Sequence, residues 1–361
     1  MRYRVGFAGL QRGGGLVSAF AHCPRTVVAA LCDLDPQLLA DLGREYGVPD
    51  GQLYTSYDAF VDAPIDIVVI ATPIQCHAEQ TIGAVESGKH VLSEVTAAYT
   101  VQECEQVVDA VKRSRRVYMM GENCCYFHFI REWKGWMRQG RLGRIFHAEA
   151  EYVHAIPGAI WDSRTGRRFW RAQRPPICYC SHSLGPLLYL MEDRVVKATG
   201  AFSGYDILPE SVGPGALNME VALFKTEKGA TIKLLRSSVA RREPPMHFYS
   251  LYGSRGFVEN GREGGWGGSQ GRLYVEGEMP ADPGAQTIDC PIGDPRAPAE
   301  ARAGGHGSSE YYMIRDLVTA IDENVRPPID VIRAMDMTVP GICAHQAAVS
   351  GEWVDVPQFE W

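Results

Sequence analysis

Residues 5–16, VGFAGLQRGGGL, place a glycine-rich turn directly after an apolar run. A dinucleotide cradle uses the spacing G-x-G-x-x-G between a strand and a helix. Its first glycine makes the tight turn, its second keeps side chains away from the pyrophosphate, and its third lets helix and strand pack closely. Gly9 and Gly14 hold the outer positions, and Gln11 replaces the middle glycine. The Gln11 side chain can turn outward, and Gly13, Gly14 and Gly15 leave the backbone free. Asp33 strengthens the reading, because it ends the next apolar run, where a carboxylate accepts from the adenosine ribose hydroxyls and repels a 2′-phosphate. The cofactor expected is therefore NAD rather than NADP. Its candidate binding residues are Gly9, Gln11, Arg12, Gly14, Asp33, Thr72, Pro73, His77, Glu94 and Asn123. The competing readings are a structural glycine turn with Asp33 as a helix cap, and His77 placed only by a helix N-terminus.

Other side chains could move protons or bind anions. Tyr179 and His182 stand three apart at a helix entry and can share one face. Tyrosine and histidine both transfer protons when their surroundings tune them. Tyr152 lies in an alternating run and, taken alone, reads as core more readily than as catalytic, with its hydroxyl tied to a backbone carbonyl. Glu122, just past the fifth apolar run, could instead cap the following helix. His306 sits in a Gly-rich loop, as a substrate contact or a solvated residue. Arg164, Arg167, Arg168, Arg171 and Arg174 crowd a loop with Trp161, Phe169 and Trp170. That loop is an anion-recognising rim, with Arg164, Arg168 and Trp170 as substrate candidates, or a salt-bridged surface. Cys124, Cys125, His128, Cys178, Cys180 and His182 suggest zinc at first sight. Their spacing fits no ordinary finger, and C-x-C in a strand points to opposite faces, so no metal is expected.

The elements that must position these residues follow from the hydrophobic pattern. RVGFAGL, TVVAALCD, IDIVVIATP, KHVLSE and RVYMMGEN are short apolar runs separated by amphipathic stretches such as DPQLLADLGREYG and TVQECEQVVDAVKRS. Continuous apolar strands alternating with helices mean a parallel sheet covered on both faces, hence a doubly wound Rossmann domain over residues 1–122. Over 123–361 the pattern changes to a helix at FIREWKGWMRQGRLG, a long alternating strand at RIFHAEAEYVHA, a helix at SHSLGPLLYLM and then a series of strand-like runs. Strands without intervening helices mean an open, mostly antiparallel sheet in an α+β substrate-binding and oligomerisation domain. PADPGAQ reads as a loop, and SSEYYMIRDLVTAIDENV as a late helix capped by Ser308 or Ser309.

Composition excludes several classes. The chain has 361 residues, 45% hydrophobic and 22% charged, with a formal net charge of −7. No broad basic field favours nucleic acid or an anionic membrane, and no apolar run reaches membrane-spanning length. Ten scattered cysteines without C-x-x-C spacing read as reduced thiols. With the first strand starting almost at Met1, this leads to the expectation of a cytoplasmic protein without a signal peptide.

The run VVIATPIQCHAEQTIGAVESGKHVLSE resembles the Gfo/Idh/MocA superfamily of nucleotide-dependent sugar oxidoreductases. Most dehydrogenases of that superfamily carry Glu-Lys-Pro after the fourth strand, with the lysine assisting proton transfer. This chain has Glu94-Val95-Thr96. Its segments SEVTAAYTVQEC, GENCCYF, EYVHA, YCSHSLGP and GGHGSSEYY resemble the NAD-dependent glycoside hydrolases of the α-N-acetylgalactosaminidase type. Thr96, Ser183 and Gln11 depart from that branch, which has proline, glycine and glycine there.

What the resemblance implies is hydrolysis with no net redox change: C3 oxidation of the sugar, elimination across C1 and C2, addition of water, and re-reduction. It carries over Glu122, Tyr152, Tyr179 and His182 as catalytic. Tyr152 is the candidate for the C2 proton, Tyr179 and His182 serve the carbinol, and Glu122 orients a hydroxyl or a base. His306 lies in the segment that resembles that branch, as a substrate contact, and the arginine rim, read from its own residues, would recognise an acidic or sulfated sugar. The alternatives are an ordinary NAD-dependent sugar dehydrogenase and a non-catalytic NAD-binding protein. The apolar open sheet predicts a homo-dimer or homo-tetramer.

Overall fold

A computed structural model describes residues 2–244, 246–265, 268–280 and 284–361. Part of the loop expected over 280–286, residues 281–283, lies outside the described residues. The chain divides into two compact units: Met1–Tyr126, Asp294–Met335 and Phe359–Trp361 form one, and Phe127–Gly293 with Asp336–Gln358 form the other.

The first unit is built on β1 (Tyr3–Ala8), β2 (Thr26–Cys32), β3 (Leu53–Tyr54), β4 (Ile67–Ile70), β5 (His90–Ser93) and β6 (Tyr118–Met120), in the order β3-β2-β1-β4-β5-β6. Every neighbouring pair is parallel. Val5, Phe7 and all of Ile67–Ile70 are buried, as strands covered on both faces must be. The crossovers are α1 (Leu10–Ala21), α2 (Pro36–Tyr46), α3 (Tyr57–Val61), α4 (His77–Glu86) and α5 (Val101–Ser114). Asp35 caps α2 by accepting from the Gln37 and Leu38 N–H groups, so Asp33 is not that helix's cap. Thr100 and Glu103 form a capping box at the head of α5, with both reciprocal bonds present. The strand order reverses between β1 and β4, where doubly wound folds bind their ligands.

The second unit opens with α6 (His128–Arg138), followed by β7 (Ile145–Val153), α7 (Ser181–Met191), β8 (Val195–Phe202), β9 (Glu220–Thr226), β10 (Thr231–Ser237), β11 (Met246–Gly253), β12 (Gly256–Asn260), β13 (Ser269–Val275) and β14 (Gln286–Cys290). The chain then contributes α8 (Ser309–Glu323) to the first unit, continues into α9 (Val331–Ser350), and ends its second sheet with β15 (Val354–Asp355). The nine strands run β14-β13-β12-β11-β7-β10-β9-β8-β15. The sheet is mixed: β7 and β10 pair in parallel, and the other neighbours are antiparallel. On β7, Ala148, Ala150 and Tyr152 are buried, and α7 packs against that strand and β11. His147, Glu149 and Glu151 alternate with them, and there Lys233 pairs with Glu149 at 2.5 Å and Arg262 with Glu151 at 2.7 Å. Period-two alternation thus separates an apolar face from a charged one.

The late helix does not group with the second sheet. The Tyr312 hydroxyl donates to Asp294 at 2.7 Å and that of Tyr126 to Asp316 at 3.1 Å, which fasten α8 within the first unit. Ser308 occupies the N-cap position of α8 without capping it, because its Oγ accepts from the Asp294 N–H instead. The ten cysteines form no disulfide. Cys178 and Cys180 lie in and just after a 3₁₀ turn rather than a strand, and both thiols face carbonyls of α9, those of Gly341 and Met337. They do not diverge as strand positions would. Among the described residues no helix is long and apolar enough to cross a membrane.

His90 carries a stability consequence. Its Nδ1 accepts from the Val117 N–H at 3.0 Å, and burial, helped by Arg116, pushes its pKa down to about 4. In the unfolded chain histidine titrates near 6.5. Between those values the unfolded state holds more protons, so stability is lost as pH falls through that window. The urea midpoint should drop from about pH 7 to pH 5, and His90→Gln should flatten that drop.

Candidate functional site

The dinucleotide turn in the first unit is built on contact distance. Gly9 has φ +83°, and a Cβ placed on it would stand 2.6 Å from the Ala71 carbonyl carbon and oxygen and from the Thr72 nitrogen. No side chain fits there, and left-handed backbone favours glycine in any case. Its N–H donates to the Cys32 carbonyl at 2.9 Å. Asp33 accepts from the Leu10 N–H at 2.7 Å and from the Asp35 N–H at 3.0 Å, which ties the end of β2 to the head of α1. Close packing against β4 falls at Gly13, where an added Cβ would lie 3.3 Å from the Ala71 Cβ. It does not fall at Gly14, where an added Cβ would meet no other segment among the described residues within 4 Å. The N-cap residue Gly9 brings no side-chain cap, and Asp33 takes only the Leu10 N–H at the head of α1. An open glycine and the N–H groups of a helix N-terminus suit a pyrophosphate. Gln11 and Arg12 are exposed, and Arg12 pairs with Glu94 at 3.1 Å.

The later strand ends differ in character. The Thr72 hydroxyl donates to Gln80 at 2.6 Å, beside Pro73. His77 is buried, with Nδ1 2.8 Å from the Thr96 carbonyl and Nε2 2.8 Å from that of Thr72. Burial pushes its pKa down, against the pull of those carbonyls. Both ring nitrogens are engaged by the protein, so His77 holds the segments after β4 and β5 together instead of offering a nitrogen to cofactor. Glu94 is buried, and its Oε2 accepts from the Val95 N–H at 3.4 Å. Glu122 is buried and accepts from the Cys124 N–H at 3.1 Å at the head of the turn Asn123–Tyr126. Local capping is therefore part of its role. His306 pairs with the buried Glu310 at 2.6 Å. Burial opposes the Glu310 charge, but the His306 contact outweighs it and holds that pKa down. His306 thus belongs to the first unit and is not a loose loop residue. A Cβ on Gly15 of α1 would stand 3.9 Å from the neighbouring Gly305 nitrogen.

The second unit gathers the tyrosines and histidines. Tyr152, at the end of β7, is buried and lies 2.9 Å through its hydroxyl from His154 Nδ1. Its ring stacks on His247 with centroids 4.0 Å apart and meets His182 edge-on at 5.9 Å. The Tyr179 hydroxyl is 3.4 Å from His182 Nε2. Tyr249 donates to the His182 carbonyl at 2.5 Å, fixing the start of α7 on β11. Sequence reasoning missed three members of this cluster. Arg236 of β10 stands 4.2 Å over the Tyr152 ring, His247 stacks beneath it, and His154 meets its hydroxyl. His154 was visible two positions after Tyr152, while Arg236 and His247 reach the cluster only through the pairing of β10 and β11 with β7. Burial, then Arg236, holds the His154 pKa down.

The arginine loop splits. Arg171 lies 4.2 Å over Trp170 and 5.9 Å from the Tyr179 ring. Arg164 is exposed and faces Asp162 at 3.6 Å, and Arg168 is exposed beside a backbone bridge to Trp161. Among the described residues neither of these two touches Tyr152, Tyr179 or His182.

A profile of the Gfo/Idh/MocA oxidoreductase family, a NAD-binding Rossmann fold, matches residues 3–122. The glycosyl hydrolase family 109 protein of Shewanella pealeana is 29% identical over 99% of this chain and 85% of its own. That of Shewanella putrefaciens is 30% identical over 95% of this chain and 82% of its own. The chain belongs to the Gfo/Idh/MocA superfamily and, within it, to glycosyl hydrolase family 109. Its cofactor is NAD. Among solved structures, a levoglucosan dehydrogenase in complex with NADH has a TM-score of 0.85 over 99% of this chain and 100% of its own, at 21% identity. That likeness is one of fold.

Gly9→Ala should weaken NAD binding about tenfold or more, because the strained backbone alone costs on the order of 1–3 kcal/mol before the contact with Ala71 is counted. Gly14→Ala, which meets no neighbour, should unfold like the parent. Thermal melts and fluorescence titration with NAD read both outcomes.

Proposed function

We propose that the protein is a glycoside hydrolase acting through transient oxidation of its sugar substrate, with no net redox change. The observation that carries this reading is the Tyr152, Tyr179 and His182 cluster in a chain whose segment after β5 reads Glu94-Val95-Thr96. The lysine of ordinary dehydrogenases is missing, while phenol and imidazole groups that transfer protons are present. The family 109 relatives support the same choice.

Gly9, Asp33 and the first turn of α1 would hold the dinucleotide. Bound NAD supplies a hydride acceptor and then donor at sugar C3, where a ketone acidifies the neighbouring C2 proton. Tyr152 takes that C2 proton. Tyr179, with His182 behind its hydroxyl, serves the C3 hydroxyl proton. Glu122 orients a hydroxyl or a base. Trp170, held by Arg171, gives the sugar an apolar face, and Arg164, Arg168 and His306 are outer contacts. The Asp33 carboxylate repels a 2′-phosphate and so sets NAD above NADP.

A second reading, a NAD-dependent sugar dehydrogenase, has one observation in its favour, the fold shared with levoglucosan dehydrogenase. The exposed Phe202, Leu223 and Trp353 of the second unit support a homo-oligomer, the dimer or tetramer that light scattering should report at micromolar concentration.

Hydrolysis in D₂O should give free sugar carrying deuterium at C2, require NAD, and accumulate no NADH. Tyr152→Phe should slow C2 exchange by on the order of 10²–10⁴ with NAD affinity unchanged. Cleavage that leaves C2 fully protonated would refute the mechanism, and stoichiometric NADH would favour the dehydrogenase.

A further inference from the structure

Among the described residues no acid pairs with Arg236. It is 3% exposed. Its Nη1 donates to the carbonyls of Tyr152, at 3.1 Å, and Ser237, and its Nε has no hydrogen-bond partner. The carboxylate opposite it in the sheet, Glu220 of β9, is committed elsewhere, accepting from the Ile177 N–H at 2.8 Å and meeting His345 Nδ1 at 2.7 Å. What the guanidinium does face is aromatic, with its carbon 4.2 Å from the Tyr152 ring centroid and 5.7 Å from that of Tyr179.

A cation held out of water is costly unless a counter-charge or dense hydrogen bonding offsets it. The groups that face it are Tyr152 from β7 and His154 just past its end, Tyr179 and Cys180 from the entry to α7, Arg171 from the turn before it, and Glu220. Arg171 adds positive charge. Burial and Arg236 both disfavour a charged His154. The Cys180 thiol faces the Met337 carbonyl. The phenols remain, and Tyr152 is the nearer. Its carbonyl anchors the guanidinium, and His154 Nδ1 stands 2.9 Å from its oxygen, where an N–H would stabilise negative charge.

We propose that Arg236 is a positioning residue that holds negative charge on the Tyr152 oxygen, so that Tyr152 acts as an anionic base. The proposal deepens the function argued above and rests on its assignment of Tyr152. In the step concerned, the phenolate oxygen takes the sugar C2 proton and becomes a neutral phenol. The electron pair of the C–H bond moves into the C1–C2 bond as the C1 leaving group departs with its own pair. The phenol proton returns to solvent before the next cycle.

The test begins with the full chain and no sugar. Ultraviolet difference titration should find one tyrosine ionising below the ordinary value near 10, and Tyr152→Phe should remove that transition. Arg236→Met should move it upward by about 1–3 pH units, the range that one adjacent opposite charge commands. In turnover, the acidic limb of kcat/KM should move upward by the same amount. Arg236→Lys, which keeps the charge but not its planar spread over the ring, should shift both in the same direction by less, and it carries the test if the Met variant does not fold. A folded Arg236→Met protein with an unmoved tyrosine transition, or a transition that survives Tyr152→Phe, would overturn the proposal. The titration needs no substrate, so a failure of the hydrolase reading alone would leave it standing.

Discussion

The packing of Gly9 against the backbone of Ala71 and Thr72, so close that an added Cβ would stand 2.6 Å from it, is the constraint from which the cofactor unit is organised. It brings the end of β1 against the end of β4, where the strand order reverses. It also starts α1 from an N-cap residue that has no side chain to cap the helix. Asp33 then ties the end of β2 to the first residue of that helix. The glutamine at position 11 is exposed, and an added Cβ at Gly14 would meet open space. Of the three fingerprint positions, Gly9 is the one where a Cβ would collide with backbone.

A second constraint acts through buried histidine. His77 reaches two carbonyls at once, one after β4 and one after β5. That places Thr72 and the Glu94-Val95-Thr96 segment in a fixed relation, although neither is regular structure. Glu94 in turn is met from outside by Arg12 of α1. Strand ends of a parallel sheet would otherwise be loose loops. Here hydrogen bonds and an ion pair hold the surfaces that a dinucleotide would face.

In the second unit the chemistry depends on electrostatics inside an apolar wall. The β-sheet segregates its charges, with compact ion pairs along one face and a cluster of aromatic and imidazole rings on the other. Into that cluster it sends the buried guanidinium of Arg236, which no carboxylate among the described residues pairs. Proton transfer by phenol and imidazole depends on local charge and desolvation, and this arrangement supplies both from neighbouring strands.

The Rossmann unit was legible in the sequence because its signals are local. Apolar runs broken by amphipathic helices, Gly9 at a strand end and an acid at the next strand end each depend on a few adjacent residues. Tyr179 with His182 was legible for the same reason, since a helix entry joins positions three apart. Which glycine packs against the end of β4 and where the late helix docks are decided by contacts between segments far apart in the chain. So is the company that Tyr152 keeps. Arg236 and His247 reach it only because β10 pairs in parallel with β7 and β11 pairs with β7 on its other side. Sequence spacing carries no information about strand register, and a one-residue slip would turn both side chains to the opposite face.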